Sequence, residues 1–328
     1  MAAGPSQKEG NEGSLFVVLK FPPKKSMTNF SSKLAIGIDL GGTNIKAALI
    51  DCLSGQIITS LSRPTLDGEF EGAVPRFALS VREVVAEFEV LAGQGNLPIG
   101  LSAPGLAHPA GNCIDWMPGR MHGLEKLDWP TFLNRRVNVL NDAQAALLGE
   151  VWVGAAKGCQ DVFMITLGTG VGGAIFSHGR LLKGAIGRAG HLGHIATDVN
   201  APVDLYGNPG SLEAAIGNKT LQERGEGRYA TTHALLDAVT AGVAHAEKVW
   251  GESVRCLAAS IGSLINVLDP EVIILGGGIA IGAGDRLMKP LASFLDIYEW
   301  RPGGSQVRLA LASLGDEAGA VGAVRSLL

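Results

Sequence analysis

Cysteine is scarce and scattered. The four residues Cys52, Cys113, Cys159 and Cys256 form no CxxC pair, so neither a zinc knuckle nor a dithiol redox motif is supported, and they read as reduced thiols. No apolar run reaches the roughly 18 residues that a membrane span requires. Positive charge is not in excess either. A formal net charge of −4 provides no broad basic face for nucleic acid. A signal peptide is also missing, because in "MAAGPSQKEGNEGSLFVVLKFPPKKSM" the basic residues follow the short apolar run. A cytoplasmic protein is expected. Residues 1–33 read as a poorly ordered extension, with Met27 as a candidate natural start.

Glycine is what the sequence has in plenty: 46 in 328 residues, about twice the usual share of roughly 7%. The glycines cluster beside apolar runs, which points to tight turns between packed elements. With 46% hydrophobic and 18% charged residues, the chain can bury a large core, and its length suits two domains.

From Leu34 the pattern is strand-like, through "LAIGIDLGG", "NIKAALID" and "QIITSLSRPT", joined by glycine turns short enough for antiparallel pairing. Residues 72–95 carry Val74, Phe77, Val81, Val84, Val85 and Phe88 at helical spacing. A strand at 98–105, a short helix in "WPTFLNRR", a strand at 137–140 and a helix in "DAQAALLGEVWVGAAKG" follow. The same grammar then repeats. "VFMITLG" and "VGGAIFSHGRLL" are glycine-linked strands, helical sequence runs from about His233 to Leu268, "EVIILGGGIA" is a buried strand, and "DEAGAVGAVRSLL" is a final helix. Two halves built alike imply a duplicated α/β architecture with a cleft between domains.

Four stretches carry chemistry. In "DLGGTNIKAALID" a glycine turn between strands exposes backbone N–H groups that suit a phosphate, and Asp39 can hold magnesium directly or through water. An ordinary hairpin is the alternative there. In "LGTGVGGAIF", Gly168, Gly170 and Gly173 satisfy GxGxxG, but the following sequence reads as a strand, so a second phosphate hairpin fits better than a dinucleotide fingerprint. Gly276, Gly277 and Gly278 end a strand before a helix, where backbone can approach a flat ligand such as adenine. In "VNVLNDAQAALLGE", Asn141 and Asp142 stand at a helix start. Either is a natural N-cap, and Asp142 is also a candidate base for a substrate hydroxyl. A helix N-terminus favours the ionised carboxylate, and phosphoryl transfer tolerates so weak a base because positioning and electrostatics dominate.

Together and in order, "DLGGTNIK", "NDAQAALLGE", "TLGTGVGGAIF" and "LGGGIA" resemble the ROK family (repressors, open reading frames and sugar kinases) across residues 34–328. The resemblance implies the two-domain actin-like ATPase (ribonuclease H-like) α/β fold. A small domain would span 34–140 and be completed by the C-terminal helix 315–328, and a large domain would span 141–314. It also implies ATP and Mg2+ in the cleft, a sugar phosphorylated on a hydroxyl, Asp142 as base and Asn141 as a sugar contact. The phosphate and nucleotide contacts would be Asp39, Gly41, Gly42, Thr43, Asn44, Lys46, Gly168, Thr169, Gly170 and Gly276–Gly278. A homodimer is implied as well. Residues 1–33 are too few for the helix-turn-helix of the family's repressors.

The chain departs from the family in "GRAGHLGHIATDVNAPVDLYGNPGSLE". Family kinases read Glu-x-Gly-His there, followed by a zinc loop CxCGxxGCxE. His194 and Glu213 match the sugar-contacting histidine and the final glutamate. His191 replaces the first glutamate, and Asp204, Tyr206 and Ser211 replace the three cysteines. With the thiolates gone, no structural zinc is expected. In "NCIDWMPGR", Trp116 stands where an asparagine is common, and its ring could stack on a sugar or pack at a hinge. Specificity altered from ordinary glucose is the expectation. A catalytically silent sugar or sugar-phosphate sensor and a polyphosphate-dependent kinase are the alternatives.

Overall fold

The computed structural model describes Met1, residues 33–204 and residues 206–328. The expected extension, apart from Met1 and Lys33, and the candidate start Met27 lie outside the described residues. The chain runs through β1 (Leu34–Leu40), β2 (Asn44–Asp51) and β3 (Ile57–Pro64), then a small hairpin of β4 (Phe70–Glu71) and β5 (Val74–Pro75), then α1 (Arg76–Ala92). β6 (Ile99–Ala103) leads to a second small hairpin, β7 (Leu106–Ala107) and β8 (Ile114–Trp116), followed by α2 (Trp129–Leu133), β9 (Val137–Asn141) and α3 (Asp142–Trp152).

The second round comprises β10 (Val162–Leu167), β11 (Val171–Ser177), β12 (Arg180–Leu181), α4 (Leu212–Ile216), α5 (Leu221–Arg224), α6 (Thr232–Thr240) and α7 (Ala244–Leu268). It closes with β13 (Val272–Gly276), α8 (Gly277–Ala283), α9 (Asp285–Tyr298), β14 (Arg308–Leu311) and α10 (Ala318–Arg325).

The repeat expected from the glycine hairpins is present. One sheet has the order β3-β2-β1-β6-β9 and the other β12-β11-β10-β13-β14. In each, three antiparallel strands adjoin two that run parallel to the first. Side chains alternate as a strand requires. On β10, Phe163, Ile165 and Leu167 join the core formed with α6, α7 and α9, while Val162 and Met164 join the one formed with α3. On β1, Ile36, Ile38 and Leu40 pack with Phe77, Val81 and Val84 of α1. Each such fully buried Ile or Leu contributes about 1.5–3 kcal/mol over exposure.

α10 belongs to the first sheet although it is last in sequence, and it crosses α3 with backbone against backbone. A Cβ on Gly322 would fall 1.6 Å from the Ala145 carbonyl oxygen, so no other residue fits this crossing. Both helices therefore reach the cleft between the sheets in fixed relation.

Several boundaries differ from expectation. The helix expected over 72–95 starts at Arg76, because Val74 pairs with Glu71 in the small hairpin and Pro75 occupies the N-cap. α2 stops at Leu133, where Asn134 turns left-handed. α3 stops at Trp152, short of "VGAAKG". The His233–Leu268 stretch is two helices, divided at Gly242 with φ 74°.

Candidate active site

The C-terminal ends of parallel strands meet the helices that follow them between the two sheets, where ligands of open α/β sheets ordinarily bind. A cavity of about 400 Å³ opens there, lined by Asp39, Lys46, Asp142, Thr166, Gly277 and Gly278 among others. Five of these are residues singled out in the sequence. Gly276 lies just behind, at the end of β13, pressed on Met164 and Ala312.

Asp39 is next to last on β1 and in register with Ser102 on β6. Ser102 Oγ donates to its Oδ1 at 2.7 Å. Burial raises its carboxyl pKa to about 6; the Ser102 bond and Lys46 oppose this, and the nearby Asp142 and Asp316 carboxylates add to it. Such a cation-poor cluster suits a divalent ion, so the donor set fits magnesium held at Asp39. Among the described residues no group of three or more His, Cys, Asp or Glu side chains is placed to bind a metal. Asp39 would therefore hold the ion with water and phosphate oxygens as its remaining ligands, as Mg2+ commonly requires. Lys46 Nζ is 2.9 Å from Asp316 Oδ1, a partner that the sequence did not point to.

Each of the two glycine hairpins is closed by a backbone hydrogen bond. The Gly41 N–H donates to the Asn44 carbonyl at 3.1 Å and the Gly168 N–H to the Gly170 carbonyl at 2.9 Å. These two amides are therefore taken up within their own turns, which corrects the expectation that they face a phosphate. Gly42, Thr43, Asn44, Thr169 and Gly170 form the rest of the turns. Thr65 Oγ1 donates to the Gly41 carbonyl at 2.6 Å, and the N–H groups of Asn218 and Lys219 donate to the carbonyls of Gly168 and Thr169.

Asn141 and Asp142 both accept from the Ala143 N–H at the head of α3, but they differ in burial. Asn141 is the N-cap: its Oδ1 accepts from the Ala143 N–H at 3.0 Å, and Gln144 completes a capping box. Its Nδ2 donates to the Gly105 carbonyl at 2.9 Å. Asn141 is buried, and this bond takes up one of its two amide hydrogens. Asp142 opens α3 and is reached by solvent through the cleft. Protein nevertheless crowds it closely, and this desolvation raises its pKa; the Ala143 N–H, His191, Asn141 and Arg120 pull the other way. Raising the pKa makes Asp142 a stronger base than a helix N-terminus alone would leave it.

Between β12 and α4, the "GRAGHLGH" segment packs under β11. His191 Nδ1 lies 3.1 Å from the Arg188 carbonyl. A carbonyl only accepts, so Nδ1 carries the proton and Nε2 is left as an acceptor. Burial lowers the His191 pKa, with the Arg188 bond opposing, His194 reinforcing and Asp142 opposing; the ring is thus neutral at physiological pH. This narrows what was expected of His191, since in this tautomer it offers an acceptor as a glutamate would. Arg188, undecided from sequence, acts through its carbonyl.

Glu213 is less free than expected. Its Oε2 accepts from the Val171 N–H at 3.0 Å and fills the space beside Gly170, where a Cβ would lie 2.3 Å away. The carboxylate therefore braces the second glycine hairpin. Two groups were missed in the sequence: Arg120, which nears Gly42 and acts on Asp142, and Tyr206, whose ring meets His194 and Trp116. Arg120 lies in a polar loop whose sequence carries no pattern, and Tyr206 stood out only as a replaced cysteine.

Known proteins resemble this chain over most of its length. A glucokinase of Halalkalibacterium halodurans is 30% identical over 320 residues, covering 89% of this chain and 94% of that protein. An N-acetylmannosamine kinase of Vibrio cholerae is 30% identical over 283 residues, covering 80% and 91%. The crystal structure of a ROK family glucokinase from Streptomyces griseus in complex with glucose and AMPPNP matches with a TM-score of 0.70 at 25% identity, covering 89% and 98%. The architecture is that of the actin-like ATPases, as expected. The model of the ROK family matches residues 35–327, and the chain belongs to that family.

Proposed function

We propose that the chain is an ATP-dependent sugar kinase that phosphorylates a hydroxyl of a hexose or related sugar, with Asp142 as the general base. The observation that carries this reading is the placement of Asp142 in one cavity with Asp39, Lys46, Gly277 and Gly278. That places a candidate base beside a candidate metal carboxylate and a glycine-lined floor suited to a nucleotide. The glucokinase and N-acetylmannosamine kinase relatives support the sugar and the transfer.

In this mechanism the acceptor sugar lies against Asp142, His191 and His194. His191 Nε2 accepts from a sugar hydroxyl, and Asn141 holds Asp142 at the head of α3. Asp142 takes the hydroxyl proton as the oxygen attacks the terminal phosphorus of ATP, and the bond from that phosphorus to the bridging oxygen breaks so that ADP leaves. Lys46, with the amides of Gly42 to Asn44 and of Thr169 and Gly170, stabilises charge on the transferring group. Bound magnesium, held at Asp39, supplies further charge neutralisation on the phosphates. We take 34–140 with 315–328, and 141–314, as the two bodies whose closure excludes water from the reaction. The active form is proposed to be a cytoplasmic homodimer, which size-exclusion chromatography with light scattering tests.

The test is ADP release with ATP and magnesium across hexoses, N-acetylhexosamines and ketoses, repeated with polyphosphate as donor. Sugar-dependent ADP release supports the reading. Its absence with every sugar sinks it, and turnover with polyphosphate alone replaces the donor.

A further inference from the structure

Trp116 ends β8 and Tyr206 lies far along the chain in the loop before α4, yet their ring centroids are 5.8 Å apart with planes at 59°. The Tyr206 ring also meets His194 edge to face, at 5.1 Å and 88°. Rings at these distances attract one another through their quadrupoles beyond the area they bury. Even so, Trp116 and Tyr206 remain 50% and 49% exposed. The cluster thus keeps aromatic surface open beside His194, whose neighbour His191 acts electrostatically on Asp142.

Tyr206 is held in place by its own loop. Asp204 Oδ1 accepts from the N–H groups of Tyr206 at 2.8 Å and Asn208 at 2.9 Å. The Asp204 N–H donates to the Asn208 carbonyl at 2.9 Å, and Val203 pairs with Pro209. A tight turn therefore presents the tyrosine from its tip. On its far side the same loop passes to Ser211, which caps α4, and to Glu213, which braces the second glycine hairpin. The ring is consequently fixed relative to the reacting side of the cleft.

We propose that Tyr206, with Trp116, is the acceptor-specificity element of this site. The aromatic pair packs against the C–H face of a pyranose and narrows the space beside His194. Bare hexoses are then accepted in preference to hexoses that carry an N-acyl group. A pyranose with mostly equatorial hydroxyls turns axial hydrogens to its faces, and these suit the electron-rich face of a ring. Two rings already in mutual contact leave no gap for an acyl substituent. The inference rests on the sugar kinase reading for its ligand class, but not on turnover.

Calorimetric Kd values for a bare hexose and for its N-acetylamino counterpart test it, measured on the full chain as wild type, Tyr206→Ala, Tyr206→Phe and Trp116→Phe. Tyr206→Ala should weaken hexose binding about tenfold and reduce the preference for hexose over the N-acetyl sugar by a similar factor. Tyr206→Phe keeps the ring and should hold the preference within about twofold. Intrinsic tryptophan fluorescence supplies a readout that needs no destabilising change: a saturable response to hexose in wild type should be lost in Trp116→Phe. An unchanged preference in Tyr206→Ala overturns the proposal, as does a wild type that binds no hexose or binds the N-acetyl sugar more tightly. Hexose binding with the expected preference but no ADP release would defeat the kinase reading and leave the specificity element standing. ADP release with an unaltered Tyr206→Ala preference would do the reverse.

Discussion

Glu150 holds Ser313 at two points: its carboxylate accepts the Ser313 N–H at 2.8 Å and the Ser313 Oγ–H at 2.9 Å. The same fully buried side chain accepts from the N–H groups of Leu314 at 2.8 Å and Ala155 at 2.7 Å. Glu150 lies two turns along the helix that begins with Asp142, and Ser313 lies on the path from β14 into α10. One carboxylate therefore ties α3 to the strand-to-helix passage between the two sheets.

Removing it leaves buried amides without partners. Glu150→Ala should cost about 3–5 kcal/mol, read as a lower urea midpoint. An unchanged midpoint would mean that water replaces the carboxylate freely and that the tie is not structural.

The raised pKa of Asp39, about 6, gives a pH dependence of defined sign. Between the ordinary carboxyl pKa and about 6, the folded chain binds a proton at Asp39 that the unfolded chain has lost. This group thus favours the fold at acid pH and disfavours it as pH rises towards and past 6. Activity runs the other way, because only the ionised carboxylate can hold magnesium. The rate should rise as pH passes through about 6, and added magnesium should move that midpoint to lower pH. Rate profiles at two magnesium concentrations check this; coincident midpoints would remove Asp39 from the metal site.

Neighbouring glycines should respond differently to alanine. Gly277 has φ 83°, and a Cβ there would lie 2.4 Å from the Leu167 carbonyl oxygen, whereas nothing lies within 4 Å of a Cβ on Gly278. Gly277→Ala should therefore lower the thermal midpoint. Gly278→Ala should leave that midpoint in place and raise the KM for ATP, since its methyl enters the cavity. Equal midpoints for the two variants would contradict the geometry.

Much of the site was legible where backbone shape carries the chemistry. The turns at Gly41–Gly42 and Gly168–Gly170 and the run Gly276–Gly278 announce themselves as glycine clusters at strand ends, and at Gly170 and Gly277 the packing leaves no room for a side chain. The duplicated sheet follows from the same turns. The side-chain partnerships were hidden. Tyr206 meets Trp116 across a long stretch of sequence, and nothing in "DLYGNPG" predicts it. Glu150 reads as one more polar residue on a helix until the segment at Ser313 closes over it. Asn141 and Asp142 looked interchangeable as caps, and both accept from the Ala143 N–H; burial of Asn141 and its bond to the Gly105 carbonyl set it apart.

We propose Asp142 as the group that takes the proton of a sugar hydroxyl during phosphoryl transfer from ATP. Sugar-dependent ADP release, wild type beside Asp142→Asn with nucleotide binding measured on both, tests it most directly. Asp142→Asn should lose about 10²–10⁴-fold in kcat and retain its nucleotide affinity. Turnover by Asp142→Asn within about tenfold of wild type would contradict it.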